Sequence, residues 1–290
     1  MKRTIGRGIP AAVLLLFLLS ACAPDDYIVI PLFEFNTAPV RWDDSAAAAF
    51  LGIAAVCMEC DRDPDVNRAV MEEYIETIKG DHPDVRLVLF SETNLGWYLD
   101  PDDPAGYQKG IAESVDGPTM TLMKEAAAAN DVYVGYGYAE SAGDAVYNSF
   151  ALIDSEGELI ANHRKVYLAP TMDDVNGFTA GDSATTAFVD GIKVGLQICM
   201  DLSSEALAVE YAGDPDIRII LAPLADLNDN PALFANLRLR NKWVVFANRI
   251  GTEGDAVYPG WYGFYDPAGY PALSSVGESG YLFLSVGVAE

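Results

Sequence analysis

Histidine, cysteine and basic side chains are scarce in this chain, and each shortage removes a class of function. Two histidines (His82 and His163) and a single CxxC pair among four cysteines leave a structural zinc site short of ligands, and no metal or organic cofactor is expected. Lysine and arginine number 18 against 43 aspartates and glutamates, a formal charge of −25. Nucleic acid is thereby excluded as a partner, because phosphate binding needs basic patches. Such acidity suits an extracytoplasmic or salty setting and solubility. Beyond the first 21 residues no apolar run is long enough to cross a bilayer. Repeats are missing, and no low-complexity tract exceeds four residues in length, the alanine run at 46–49 being one. What is abundant is apolar: 51% of 290 residues, enough core for one large domain or two small ones.

The leader reads as a secretory signal peptide over residues 1–21: basic Lys2, Arg3 and Arg7, then an apolar stretch at 9–19. It closes on Leu19-Ser20-Ala21-Cys22, which resembles a bacterial lipobox. That resemblance implies cleavage before Cys22 and acylation there, palmitate being one such chain. Residues 22–45 then form a lipidated tether and 46–290 the folded domain. The lipid bilayer is one expected partner, and the mature protein is expected outside the cytoplasm on a bacterial membrane. Losing the three leader cations takes the charge from −25 to −28.

From residue 50 onward, strand-like and helix-like patterns alternate. Strands are expected at 50–56, 86–90, 132–138, 147–153, 158–165, 184–189, 192–198, 217–221 and 243–248, with a terminal β region at 263–265 and 281–286. Helices are expected at 65–79, 107–114, 118–129, 204–212 and 231–242, and an irregular loop at 168–182. Asp154–Gly157 and Asp190-Gly191 carry turn chemistry. So many apolar strands cannot leave one face in water, which argues for two mixed sheets stacked face to face with helices outside: an α/β (α+β) architecture.

Three of these strands run out onto reactive side chains. Residues 86–90 lead through Ser91 to Glu92, residues 158–164 to Lys165, and residues 192–198 to Cys199. A carboxylate base, a cation for a developing oxyanion and a thiol nucleophile are what amide chemistry requires. Glu92 ends an apolar run, so it should be buried and in need of a cation. Ser203 or Ser204 can cap the following helix, whose N-terminal field should lower the Cys199 pKa, and the Met200 N–H is available to an oxyanion. Taken singly, each has a plainer reading: a buried inert thiol, a solvated lysine, a strand-end carboxylate facing water. Cys57 and Cys60 form a CxxC pair after a strand rather than before a helix, which reads as core packing or an incidental disulfide.

Taken together, the sequence resembles the nitrilase superfamily of carbon–nitrogen hydrolases. The glutamate motif stands as Leu89-Phe90-Ser91-Glu92 followed by Gly96-Trp97-Tyr98. The lysine motif stands as Tyr147-Asn148-Ser149 and then His163-Arg164-Lys165-Val166-Tyr167-Leu168. The cysteine motif stands as Val194-Gly195-Leu196-Gln197-Ile198-Cys199-Met200-Asp201, with Glu205 beyond. Gly117-Pro118, Phe178-Thr179-Ala180-Gly181, Ala247-Asn248-Arg249 and Asp266-Pro267-Ala268-Gly269 extend the match over residues 50–288.

The resemblance implies a four-layer α-β-β-α sandwich of two stacked mixed sheets, and a homodimer or larger homo-oligomer. It implies hydrolysis of a non-peptide C–N bond in a small amide, amidase or carbamoylase in type, through a thioester at Cys199. Glu92 is then base and proton shuttle, and Lys165 with the Met200 N–H holds the oxyanion. The pattern departs at Ser91, where the family commonly has proline, and at Leu202. The second carboxylate usual in the lysine loop is replaced by aspartate; spacing from Phe178 points to Asp174, with Asp173 adjacent. Loops 99–110 and 169–182 and segment 257–261 should shape the pocket. Rival readings are an N-acyltransferase on the same triad, a catalytically degenerate binding lipoprotein, and a redox protein built on Cys57 and Cys60.

Overall fold

The computed structural model describes residues 45, 47–227 and 237–289. The expected signal peptide and the tether up to residue 44, Cys22 included, lie outside the described residues, as does the first half of the helix expected at 231–242.

Fourteen strands and five helices are described. In chain order the first half is β1 (Ala49–Cys57), α1 (Pro64–Asp81), β2 (Leu87–Leu89), α2 (Pro104–Ile111), α3 (Pro118–Asn130), β3 (Tyr133–Ala142), β4 (Ala145–Ile153) and β5 (Leu159–Arg164). The second half is β6 (Thr185–Val189), β7 (Ile192–Leu196), a 3-10 turn (Cys199–Ser203), α4 (Glu205–Gly213), β8 (Ile217–Pro223), α5 (Leu237–Arg240) and β9 (Trp243–Ala247). Then come the hairpin β10 (Ile250–Glu253) and β11 (Ala256–Pro259), β12 (Trp261–Tyr265), β13 (Pro271–Val276) and β14 (Gly280–Val288).

Two six-stranded mixed sheets form, ordered β14-β1-β2-β3-β4-β5 and β13-β12-β9-β8-β7-β6. Strand periodicity explains why they stack. In β1, Leu51, Ile53, Ala55 and Cys57 face the other sheet, while Ala54 and Val56 face helices α1 and α3. The same alternation sends Leu87, Leu89, Phe150 and Leu152 inward between the sheets and Val88, Ala151 and Ile153 outward under Met71, Ile75, Ile78, Met120 and Met123. On the second sheet, α4 supplies Leu207 and Tyr211 and α5 supplies Leu237. Both faces of the central strands of each sheet are therefore buried, which is why those strands read as near-continuous apolar runs, while the edge strands β6 and β13 keep an exposed side.

The CxxC pair is explained by the same layering. Cys57 points between the sheets and Cys60 lies under the helices, so the two thiols sit in different core layers and are free. Burial, and then the neighbouring Cys60, push the Cys57 thiol up to about 12, which leaves it inert.

Candidate active site

The carboxyl ends of β2, β5, β7 and β8 meet at one end of the sandwich. Glu92 lies two residues past Phe90, and its N–H donates to Leu224 O at the end of β8 (3.1 Å), tying the two sheets together there. Thr93, next in line, adopts φ +52, which turns the chain sharply after the carboxylate. Gly137 of β3 makes the turn possible: a Cβ there would stand 2.6 Å from Glu92 Cα and from Thr93 N. Across the site, β7 stops at Leu196, and Cys199 opens the 3-10 turn with φ +43. A non-glycine residue in the left-handed region stores strain that the surroundings must hold, as they often do at functional sites.

The carboxylate and the ammonium are in direct contact. Lys165 Nζ stands 2.8 Å from Glu92 Oε1 and 2.7 Å from Asp173 Oδ2, with Lys165 1% exposed and both carboxylates wholly buried. Charges this deep survive only when their hydrogen bonds are complete. Asn148 Nδ2 donates to Glu92 Oε1 (2.6 Å) and to Asp173 Oδ1 (2.9 Å). The Tyr98 hydroxyl donates to Asp173 Oδ1 (2.6 Å) and the Ala169 N–H to Oδ2 (2.7 Å). Glu92 Oε2, in contrast, has no partner among the described residues. One oxygen is anchored and the other is left for a proton.

Asp173, then, is the lysine-loop carboxylate that meets Lys165. Asp174, the residue favoured by spacing, is exposed. The chain from Ala169 to Gly177 is tightly turned, with Asp173 N bonding Ala169 O and Asn176 N bonding Met172 O, so Asp173 points inward and its neighbour outward. Counting back from Phe178 could not resolve a one-residue difference within such a turn.

Electrostatics follow from this arrangement. Burial raises the Glu92 pKa above its ordinary value, and Lys165 only partly offsets it. Burial alone would depress Lys165, but Asp173, Glu92 and Cys199 outweigh it and the ammonium is held charged well beyond its ordinary range. Asp173 is lowered despite burial, because Lys165 and the Tyr98 hydroxyl favour its anion. The expected lowering of Cys199 does not hold: burial, then Glu92, push the thiol well up against the opposing pull of Lys165. Helix α4 begins only at Glu205, capped by Ser204 Oγ, too far along to govern the sulfur. The resting thiol is thus protonated, and a base must take its proton.

Further residues hold the parts together; the sequence motifs contained Asp201, His163 and Arg249 without disclosing their work, and Glu253 lay outside them. Asp201 is fully buried; its Oδ1 accepts from the Val166 and Tyr167 N–H groups (3.1 and 2.8 Å). Its Oδ2 accepts from Ile198 N–H (3.0 Å) and pairs with His163 Nε2 (3.0 Å). One carboxylate therefore staples the lysine loop to the cysteine turn. Arg249, also buried, donates to Gly96 O (2.8 Å) and Thr93 O (3.3 Å) and pairs with Glu253 of the β10–β11 hairpin. Glu253 Oε2 accepts the Tyr98 N–H (2.8 Å), so the hairpin braces the glutamate loop. A separate surface cleft of about 560 Å³ takes in Glu140, Asn162, Arg164 and Asp182. Glu140 is saturated there by Ser149, Asn162 and Arg164, and the cleft holds none of the reactive groups.

Relatives share this architecture. A CN-hydrolase superfamily protein from Xanthomonas campestris superposes with TM-score 0.72 at 19% identity, covering 82% of this chain and 90% of that one. An amidase from Nesterenkonia sp. superposes with TM-score 0.71 at 18% identity, covering 87% and 94%. In sequence, an (R)-stereoselective amidase of Pseudomonas sp. is 31% identical over 196 residues, 64% of this chain and 67% of that protein. The described fold is the α-β-β-α sandwich of those structures. With residues 52–268 matching the carbon–nitrogen hydrolase family over the stretch that carries all of the residues above, the chain belongs to that family.

Proposed function

We propose that this protein is an amidase: it hydrolyses the C–N bond of a small amide through a thioester at Cys199. The carrying observation is the buried contact of Lys165 Nζ with Glu92 Oε1 at 2.8 Å while Glu92 Oε2 stays free. Glu92 Oε2 takes the proton of the Cys199 thiol as the sulfur bonds to the amide carbon. Negative charge gathers on the amide oxygen, where Lys165 Nζ and the Met200 N–H stabilise it; the first N–H groups of a helical turn have no partner inside it. Glu92 then returns the proton to nitrogen, the C–N bond breaks, and ammonia or an amine leaves. Water, deprotonated by Glu92, attacks the thioester, and the acid departs as the thiol regains its proton.

Asp173 keeps Lys165 charged and aimed through this cycle. The amidase relatives support the hydrolytic outcome over transfer to an amine. The leader pattern supports a lipid-anchored, extracytoplasmic enzyme acylated at Cys22, and the family supports assembly as a homodimer or larger homo-oligomer. Among the described residues no helix is long and apolar enough to cross a membrane.

Purified protein is expected to release ammonia from members of a small-amide panel. Cys199→Ala should abolish release, and mass spectrometry should find the acyl group on Cys199 of the wild type. Undiminished turnover in the alanine variant would reject the mechanism.

A further inference from the structure

The segments that surround the reactive groups carry many carboxylates and few cations. Residues 93–108, 166–184, 223–227 and 250–259 include Asp100, Asp103, Asp174, Asp226, Glu253 and Asp255, yet no lysine, arginine or histidine. They are in mutual contact: Phe178 stacks on Tyr98 with centroids 6.3 Å apart, Gly177 abuts Ala105, and Gly254 abuts Pro101. Cations that reach this end among the described residues are matched by carboxylates, apart from solvent-exposed Lys109 one residue past the first segment. Lys165 has two carboxylates, Arg249 has Glu253, and Arg62 has Asp100. The same loops contribute an apolar cluster of Tyr98, Phe178, Ala225 and Tyr258, flanked by partly buried Leu99 and Met172.

Building on the amidase reading, we propose that this site admits neutral and cationic amides with an apolar acyl body and refuses amides whose acyl chain ends in a carboxylate. An anion brought here sheds water and meets an excess of carboxylates, Asp103, Asp174 and Asp255 adding to the paired Asp100 and Glu253, whereas an ammonium is attracted by them and a methyl group packs on the aromatic wall.

Two measurements on the intact wild-type protein test this separately. The first compares hydrolysis of pentanamide, 5-aminopentanamide and glutaramate, which share chain length and differ in the terminal group. Glutaramate is expected to show a kcat/KM at least about tenfold below the other two. The second needs no turnover: the rate at which Cys199 is modified by the trimethylammonium-ethyl and sulfonato-ethyl methanethiosulfonates, each normalised to free N-acetylcysteine, with Cys199→Ala as the background. The cationic reagent is expected to be at least about tenfold faster, with the gap shrinking as salt is added. Equal or reversed reagent rates, or glutaramate as the preferred amide, overturn the charge preference. A retained reagent ratio with no hydrolysis of any amide upholds the preference at the site and rejects the amidase reading beneath it.

Discussion

Glu92 carries its function in the difference between its two oxygens. Oε1 is anchored by Lys165 and Asn148, whereas Oε2 is unpartnered, so a glutamine there keeps the shape and loses the base. Glu92→Gln should lower kcat/KM for a good amide by about 10²- to 10⁴-fold, the span of a lost general base, with little change in folded structure by circular dichroism. Asp173 and Asp174 give a sharper comparison, since they are neighbours in sequence and opposite in burial. Hydrogen bonds to charged groups contribute about 1.5–3 kcal/mol, so Asp173→Asn should cost kcat about 10- to 100-fold. Asp174→Asn should leave kcat unchanged in the same assay. Equal losses in the two variants would mean that Lys165 is not positioned by Asp173.

Elements are placed by a few residues whose partners are distant. Gly137→Ala adds one methyl group against Glu92 Cα, Thr93 N and Ser91 O, all backbone atoms that cannot rotate aside. Overpacking of this kind costs about 1–3 kcal/mol, and activity should fall further than stability because the displaced residue is the base itself. Parallel urea unfolding and amidase assays check this. Asp201→Ala strips a buried acceptor from three N–H groups, so the lysine loop and the cysteine turn part; about 3 kcal/mol of unfolding free energy should go with it. Element boundaries were legible where turn chemistry was local. Asp190 and Gly191 both adopt positive φ, and Gly157 does so at the close of the β4–β5 turn. Helix α2 begins at Pro104 with Asp103 accepting from Gly106 N, three residues before the apolar pattern suggests, because the cap and the proline outweigh periodicity. The hairpin β10–β11 gave no strand signal, since it belongs to neither large sheet and is held by Glu59, Arg249 and the glutamate loop.

At the scale of the whole molecule, the buried charges set the pH response. Glu92 must be ionised to act, and its pKa is raised, so the acid limb of kcat/KM should lie above pH 4.5, the ordinary glutamate value. The stability signs are opposite for the two carboxylates. A raised folded pKa means Glu92 disfavours the folded state increasingly as pH climbs from 4.5 through that pKa. A lowered one means Asp173 contributes stability above pH 3.8 that is lost as pH falls through its folded value. Unfolding free energies at pH 7 and pH 4.5 should therefore show wild type gaining on Glu92→Gln upon acidification; no relative change would contradict the raised pKa.

By itself the sequence determined the alternation of strands and helices, the burial of both sheet faces and the three strand ends bearing Glu92, Lys165 and Cys199, because periodicity and apolar runs act over a few residues. Only the tertiary structure decided that Asp173 rather than Asp174 meets Lys165, that the Cys199 thiol is raised rather than lowered, and that Asp201, Arg249 and Glu253 clamp the loops. Those outcomes depend on burial and on charges brought together from remote parts of the chain, and desolvation has no signature in local order.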